Sequence, residues 1–331
     1  MAETLPLCLS MGEPAGIGGE IALKAWLARR KSKAAPFFAI DDPDRLRAIA
    51  KAIGAEVPIV SIEAPAQTAS SFAAGLPVIS LSRSVSAVPG RPDPANAPTV
   101  VESLERGYKF VMDGAASALV TNPIQKSALY AAGFKFPGHT EFLASLAGVA
   151  LPVMMLVIEG LRVVPVTVHE SLRAAIDGLS ADAIVAKARI AARELQTRFG
   201  IASPRLAIAG VNPHAGEAGS LGREEIEIVQ PAIDILRAEG WQVDGPKSPD
   251  TMFHAGARAG YDVAICQYHD QALIPLKTLD YDHGVNVTLG LPFVRTSPDH
   301  GTALDIAGTG TANPASLIAA LDLAAQLSRR G

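Results

Sequence analysis

Seven histidines are present, and three of them share a setting. His169, His214 and His269 each follow an apolar, strand-like run, at residues 161–168, 206–209 and 263–266. Ligand-binding side chains collect at strand carboxyl ends in open α/β sheets. Three imidazoles placed this way would suit Zn²⁺ or another borderline divalent ion, with coordination positions left for substrate. No H-E-x-x-H spacing links them, so each also reads as a lone core or loop histidine. Asp270 directly follows His269, and Asp250 precedes it in a loop. Either carboxylate could hold an imidazole tautomer or a cation, or act in proton transfer; Asp270 reads equally as a cap for the next turn. Lys277, Asn286 and Arg295 follow at nine-residue intervals. Arg295 offers a bidentate fork for carboxylate or phosphate. Lys277 offers a point charge, or a base if a neighbouring metal lowers its pKa, and Asn286 can orient polar groups. Each of the three also reads as an ordinary surface residue.

Two further stretches suit anions. His139-Thr140 follows Pro137-Gly138 at an expected helix N-terminus, where hydroxyl, imidazole and backbone N–H groups could meet an anion and where threonine is also a common N-cap. Lys126, at another helix start, could face an anion or solvent. The loop Gly12 to Gly19 joins a strand to a helix, but matches neither G-x-G-x-x-G nor a Walker loop. A glycine-rich turn region runs from His300-Gly301 to Gly308-Thr309-Gly310, and Asn313-Pro314 ends it. It lacks the Rossmann fingerprint.

These residues need a scaffold that brings strand ends together. Strands are expected at residues 5–11, 36–40, 57–61, 76–81, 118–121, 153–158, 161–168, 206–209 and 263–266, alternating with helices. Glu159-Gly160 between two apolar runs marks a hairpin, so the sheets are mixed. Helices are expected from about Glu20 to Arg30, from Pro43, from Thr99 to Asp113, from Ser180 to Phe199 with Ser180 as N-cap, from Arg223 to Glu239, and to Leu327 at the end. Ile184, Ala188, Ala191, Leu195 and Phe199 form one apolar stripe. Residues 82–98, rich in Pro, Ser and Ala, read as a surface loop carrying solvated Arg83 and Arg91.

The 331 residues are 49% hydrophobic and 19% charged, enough for two domains. A net charge of −4, with no basic stripe, excludes a nucleic-acid binder. No apolar run is long enough to span a bilayer. Cys8 and Cys266 lie in apolar runs, as buried thiols of a reducing compartment would. A soluble, cytoplasmic chain without a signal peptide is expected.

Residues 268–277 (YHDQALIPLK), 284–308 (GVNVTLGLPFVRTSPDHGTALDIAG) and 12–20 (GEPAGIGGE) resemble the 4-hydroxythreonine-4-phosphate dehydrogenases of pyridoxal phosphate biosynthesis. Residues 300–314 more distantly resemble the cofactor loop of isocitrate and isopropylmalate dehydrogenases. The resemblance implies an α/β fold of two α/β/α sandwich domains with mixed sheets and an active site in the cleft between them. The domains expected are 1–137 with 293–331, and 138–292. It implies His169, His214 and His269 as ligands of Zn²⁺, Mg²⁺ or Co²⁺ in a site shared across a homodimer. His139, Thr140, Lys277, Asn286 and Arg295 would bind a phosphorylated hydroxy amino acid, with Lys277, Asp270 and Asp250 as catalytic candidates. His300, Gly301, Asp305, Gly308, Gly310 and Asn313 would hold NAD or NADP. The reaction implied oxidises 4-phosphooxy-L-threonine at C3 to a β-keto acid, which loses CO₂ to give 3-amino-2-oxopropyl phosphate. The chain departs from the resemblance at Gly19 (where proline is usual), in His169-Glu170-Ser171-Leu172 (where His-x-Pro-Leu is usual) and at Thr309 (where lysine is common). Kindred chemistries are dehydrogenation of phosphorylated four-carbon sugar acids or of aromatic dihydrodiol carboxylates. Phosphate acyltransferases share a related fold but would not need three histidines at strand ends, and a non-catalytic binding protein would not need the full polar set.

Overall fold

A computed structural model describes residues 5–29 and 35–329. The chain divides into two compact units, one reaching Pro152 and resuming at Leu291–Arg329, the other spanning Val153–Gly290. The expected outer limits at residues 1 and 331, and the expected end of the first helix at Arg30, lie outside the described residues.

The first unit carries β1 (Leu7–Ser10), β2 (Phe37–Asp41), β3 (Ile59–Ser61), β4 (Leu76–Ser80) and β5 (Ala118–Thr121). The second contributes β6 (Val153–Ile158), β7 (Leu161–Pro165), β8 (Arg205–Ala209), β9 (Gln242–Lys247), β10 (Val263–Cys266) and β11 (Val285–Leu289). The chain then returns to the first unit with β12 (Arg295–Pro298). Within the first unit the order is β3-β4-β2-β1-β5-β12, and every pairing is parallel. Parallel strands covered on both faces read as unbroken apolar runs. β1 (LCLS) and β2 (FFAID) are accordingly buried at every position.

In the second unit the order is β11-β6-β7-β10-β8-β9. β6 is antiparallel to both β7 and β11, whereas β7, β10, β8 and β9 run parallel. The hairpin at Glu159-Gly160 is present, with Gly160 at φ +74°. The helix Ala181–Thr197 buries Ile184, Ala188, Ala191 and Leu195, and the Ser180 hydroxyl accepts from Ala183 N at 3.2 Å.

Four differences from expectation matter. β9, β11 and β12 were not anticipated, because QVDGPK and RTSP are too polar to read as strands and VNVTL interrupts its apolar residues with Asn286 and Thr288. β7 ends at Pro165, although Val166 N still donates to Cys266 O at 2.7 Å. The helix expected from Arg223 begins with a π-helical turn, Glu225–Val229, before Gln230–Ala238. Finally, the first boundary falls after residue 152 rather than 137. The helix His139–Leu146 buries Leu143 and Ala144 in the same core as Ile40, Leu119 and Leu129. Phe142 packs edge-on to Phe134 and Phe136, and Tyr108 Oη donates to Leu146 O at 2.9 Å. His139 and Thr140 therefore belong with the first unit. No helix among the described residues is long and apolar enough to cross a membrane.

Candidate active site

In the second unit β7, β10 and β8 are neighbours and parallel, so their carboxyl ends share one edge. His169, His269 and His214 follow those three strands. The His169 and His269 ring centroids lie 5.8 Å apart. His269 opens the helix His269–Leu279, and its Nδ1 lies 2.7 Å from Asp270 Oδ1. That contact occupies Nδ1 and leaves Nε2 to meet a ligand. Asp270 thus braces the imidazole; Tyr268 holds the N-cap position. Buried amides tie the two strand ends together. Gln267 Nε2 donates to Ala209 O, and Gln271 Nε2 to Gly210 O, both at 2.7 Å.

A pocket of about 350 Å³ is lined by His169, Ser171, Tyr268, His269 and Asp270, among others. Ser171 caps the short helix Leu172–Asp177 by accepting from Ala174 N, which gives the unusual His-Glu-Ser-Leu stretch a defined turn. A second pocket of about 470 Å³ brings Asp250 beside Tyr268, Asp270 and Gln271. The Ser248 hydroxyl donates to Asp250. Lys277 is half-buried further along the His269 helix, its Nζ 5.5 Å from the Tyr281 ring centroid. Asn286 sits on β11 with a buried Oδ1 that has no hydrogen-bond partner.

His214 lies in an unusual segment. Residues 214–218 all have positive φ, between 41° and 77°, and only Gly216 among them is glycine. Left-handed backbone costs about 1–2 kcal/mol for each residue bearing a Cβ, so strong local contacts must hold this segment. His169 also has positive φ, at 50°. Among the described residues no three His, Cys, Asp or Glu side chains form a metal-holding group. One chain brings His169 and His269 together but does not complete a triad with His214. The donor set still suits a borderline divalent ion: two adjacent imidazoles, one with its tautomer held by a carboxylate.

The first unit gathers three stretches that are far apart in sequence. Gly12 (φ +74°) lies against Asn122 and Pro123, where a Cβ would come within 2.6 Å of the Asn122 side chain. Asn122 Nδ2 donates to Ser10 O and Gly18 O. Ile17 N donates to Thr302 O, so the loop from Gly12 to Gly19 packs on the glycine-rich segment that follows His300. At Gly19 a Cβ would lie 2.6 Å from Ile49 Cδ1 and 2.8 Å from an Arg45 guanidinium nitrogen, so the ends of these two flexible side chains fill the space beside the glycine.

Residues 82–98 are more than a surface loop. Gly90 N donates to Ala15 O, and Pro89 packs on Gly308, although Arg83 and Arg91 are exposed as expected. In the glycine-rich segment His300 Nδ1 contacts Gly301 O at 2.9 Å, while its Nε2 is buried without a hydrogen-bond partner. Gly301 opens onto free space, and Asp305 is exposed. Gly308 and Gly310 adopt φ of 77° and 78°. The Thr309 hydroxyl donates to Ile306 O, and Asn313 Oδ1 accepts from Ala315 N at the start of the last helix. Open backbone around a buried ring nitrogen suits a cofactor's polar end.

An anion corner also lies in this unit. Arg295 Nε and Nη2 donate to Thr121 Oγ1 at 3.2 and 2.6 Å. Burial pushes Arg295 down to about 10, with Glu141 opposing. Burial first, then Arg295 and Lys126, hold His139 well below the ordinary imidazole range, and its buried Nε2 has no hydrogen-bond partner. Thr140 is not the cap: Gly138 holds that position and Thr140 lies inside the helix.

Glu20, Lys24 and Glu225 were not singled out from the sequence. Glu20 is buried; its Oε1 accepts from Ala312 N at 2.8 Å. Lys24 Nζ donates to Glu20 Oε1, Gly310 O and Ala312 O at 2.7–2.8 Å. The i,i+4 spacing of Glu20 and Lys24 was visible, but suggests a solvated pair.

Two α/β units, each presenting a polar constellation at the ends of parallel strands, define an α/β enzyme. Residues 32–324 match the family described as pyridoxal phosphate biosynthetic protein PdxA. A 4-hydroxythreonine-4-phosphate dehydrogenase from Bradyrhizobium diazoefficiens is 52% identical, the alignment covering 98% of this chain and 97% of the relative. The crystal structure of a 4-hydroxythreonine-4-phosphate dehydrogenase from Klebsiella pneumoniae superposes with a TM-score of 0.88 at 39% identity, covering 98% and 100% of the two chains. A terephthalate 1,2-cis-dihydrodiol dehydrogenase from Burkholderia xenovorans superposes with a TM-score of 0.65 at 29% identity, covering 98% of each chain. The chain belongs to the PdxA family.

Proposed function

We propose that this chain is a metal-dependent, NAD- or NADP-linked 4-hydroxythreonine-4-phosphate dehydrogenase working in the cytoplasm as a homodimer. The observation that carries the reading is the His169–His269 pair, with Asp270 on the His269 Nδ1, at the shared edge of β7 and β10. When bound, a divalent ion (Zn²⁺, Mg²⁺ or Co²⁺) supplies Lewis acidity at the C3 hydroxyl and the nicotinamide accepts two electrons. His169, His214 and His269 are the ion's ligands. Asp270 and Asp250 hold the charge and tautomers around them. Lys277 takes the hydroxyl proton, and Asn286 orients the substrate's polar groups. Arg295, His139 and Thr140 receive the phosphate or carboxylate. His300, Gly301, Asp305, Gly308, Gly310 and Asn313 seat the cofactor's adenosine end. Oxidation at C3 leaves a β-keto acid, which loses CO₂ to give 3-amino-2-oxopropyl phosphate.

The homodimer reading is supported by an exposed apolar surface beside the candidate site. Apolar, exposed Ile274 and Leu279 line the pocket beside Asp250 and Asp270, a surface that a second copy would cover. Free, buried Cys8 and Cys266 are in keeping with a reducing cytoplasm. A second reading, a dihydrodiol dehydrogenase, is favoured by the Burkholderia xenovorans likeness, but at 29% rather than 52% identity.

The test is NAD and NADP reduction with 4-phosphooxy-L-threonine, before and after chelation and after return of Zn²⁺, Mg²⁺ or Co²⁺. Turnover should vanish with chelator and return with metal, and His214→Ala should behave like the chelated enzyme. Folded protein inactive with every metal would overturn the substrate assignment and send the search to sugar acids and dihydrodiols.

A further inference from the structure

The left-handed segment around His214 needs an anchor, and a single buried carboxylate occupies that place. Glu225 Oε1 accepts from Val211 N at 2.6 Å and from Asn212 N at 2.7 Å, and Oε2 accepts from Asn212 Nδ2 at 3.0 Å. Glu225 itself is 4% exposed. The same Asn212 amide donates to Glu224 Oε2 at 2.6 Å, which fixes its orientation. The fit leaves no slack. A Cβ on Gly216 would lie 2.5 Å from Glu225 Oε2, and one on Gly210 would lie 3.1 Å from Oε1. The carboxylate thus lies against backbone on both sides of His214, where the chain leaves β8 and again inside the left-handed segment. Glu225 opens a π-helical turn, Glu225–Val229, a rare local geometry that recurs at functional sites.

We propose that Glu225 is the positioning residue of the metal site, setting the approach of His214 through the backbone of residues 210–216. This rests on the reading of His214 as a metal ligand. Groups behind the ligands typically set metal affinity by about 10–100-fold. Both Glu225 carboxylate oxygens are taken by the backbone and amide donors of Val211 and Asn212, so its role is to hold the loop and not to ligate the ion.

The probe is Co²⁺ alone, titrated into metal-stripped full-length protein and followed by calorimetry and by its visible absorption. Glu225→Gln keeps an acceptor for the two backbone N–H groups but turns an amide donor toward the Asn212 amide, which Glu224 holds as a donor. Co²⁺ affinity should fall by about 10–100-fold with a changed Co²⁺ spectrum. NAD affinity should stay at the parental value, and turnover should recover at saturating Co²⁺. A purely structural glutamate would instead lower the melting temperature while Co²⁺ affinity and spectrum stayed parental, and that result overturns the proposal. Asn212→Ala removes only the side-chain arm of the clamp and serves if Glu225→Gln does not fold; parental Co²⁺ affinity there is equally fatal. His214→Ala separates the two layers. If it binds Co²⁺ as the parent does, the ligand reading fails and the proposal with it. If it loses Co²⁺ while Glu225→Gln does not, only the positioning role fails.

Discussion

Lys24→Met should loosen the cofactor segment without touching the metal histidines. All three Lys24 ammonium donors are engaged, with Glu20 Oε1, Gly310 O and Ala312 O. Methionine keeps the length and removes the donors. Hydrogen bonds to charged groups contribute about 1.5–3 kcal/mol each when deleted singly, and deletions from one centre are not additive. The lysine side chain is 24% exposed and that of Glu20 only 2%, so water can replace part of the loss on one side only. Glu20 keeps the Ala312 N–H but loses its cation. A net loss of about 2–3 kcal/mol follows, roughly 4–12 °C in melting temperature for a unit of this size. If about half of that loosening must be reversed when cofactor binds, the dissociation constant for NAD rises roughly tenfold. Calorimetric NAD titration and a thermal melt read the two effects, with Co²⁺ affinity as the control that should not move. A lowered melting temperature with unchanged NAD affinity would show that residues 308–312 do not seat the cofactor, or that Lys24 does not hold them there.

The His139 imidazole should stay neutral through the range where free histidine protonates, because burial, Arg295 and Lys126 all oppose its charge. Nitrogen-15 NMR should show this directly; inorganic phosphate should raise the titration point, and an unchanged one would remove His139 from the anion corner. Burial pushes the Asp41 carboxyl up to about 6 even with Arg45 beside it. The folded form then holds this proton more tightly than the unfolded chain, so its stabilisation is complete below the ordinary carboxylate value and is lost as pH rises through 6. Urea midpoints should therefore decline less between pH 4.5 and 7 in Asp41→Asn than in the parent, and parallel profiles would refute the assignment.

Much of the scaffold was legible because burial on both faces writes itself as apolar runs; LCLS, FFAI and VAIC each fall in a buried strand. The strand-then-histidine pattern was legible for the same reason, and it put His169, His214 and His269 after three neighbouring strands. Partnership across the chain was not legible. Arg223-Glu224-Glu225 reads as a solvated helix start, yet Glu225 turns inward to accept from the Val211 and Asn212 backbone N–H groups, in the loop between β8 and the left-handed segment. Arg295 could be named as an anion ligand but not as a strand residue, since Arg-Thr-Ser-Pro carries none of the apolar signal that the central strands show. The expected boundary at residues 137 and 138 separated His139 from the first unit; the aromatic cluster of Phe134, Phe136 and Phe142 that binds its helix to the first core is spread over a loop and a helix, so no single run of sequence marks it.

The spacing of the histidine pair is set some distance from the pair itself. The two-residue turn at Glu159-Gly160 fixes β6 against β7 with Ile158 opposite Leu161 and Leu156 opposite Val163. β7 then aligns with β10, Val163 beside Ala264 and Pro165 beside Cys266. Each residue of a strand advances about 3.3 Å and alternates faces, so a one-residue slip of β7 would move His169 along the edge and reverse its side of the sheet. The 5.8 Å separation from His269 would not survive that slip. Gly160, at φ +74°, is what lets the turn be this short. Lengthening the hairpin by one residue should therefore impair metal binding even though the insertion lies at the opposite end of β7. Weakened Co²⁺ affinity in a folded insertion variant would establish the register as part of the site, and parental affinity would show that the histidines are placed by their own loops alone.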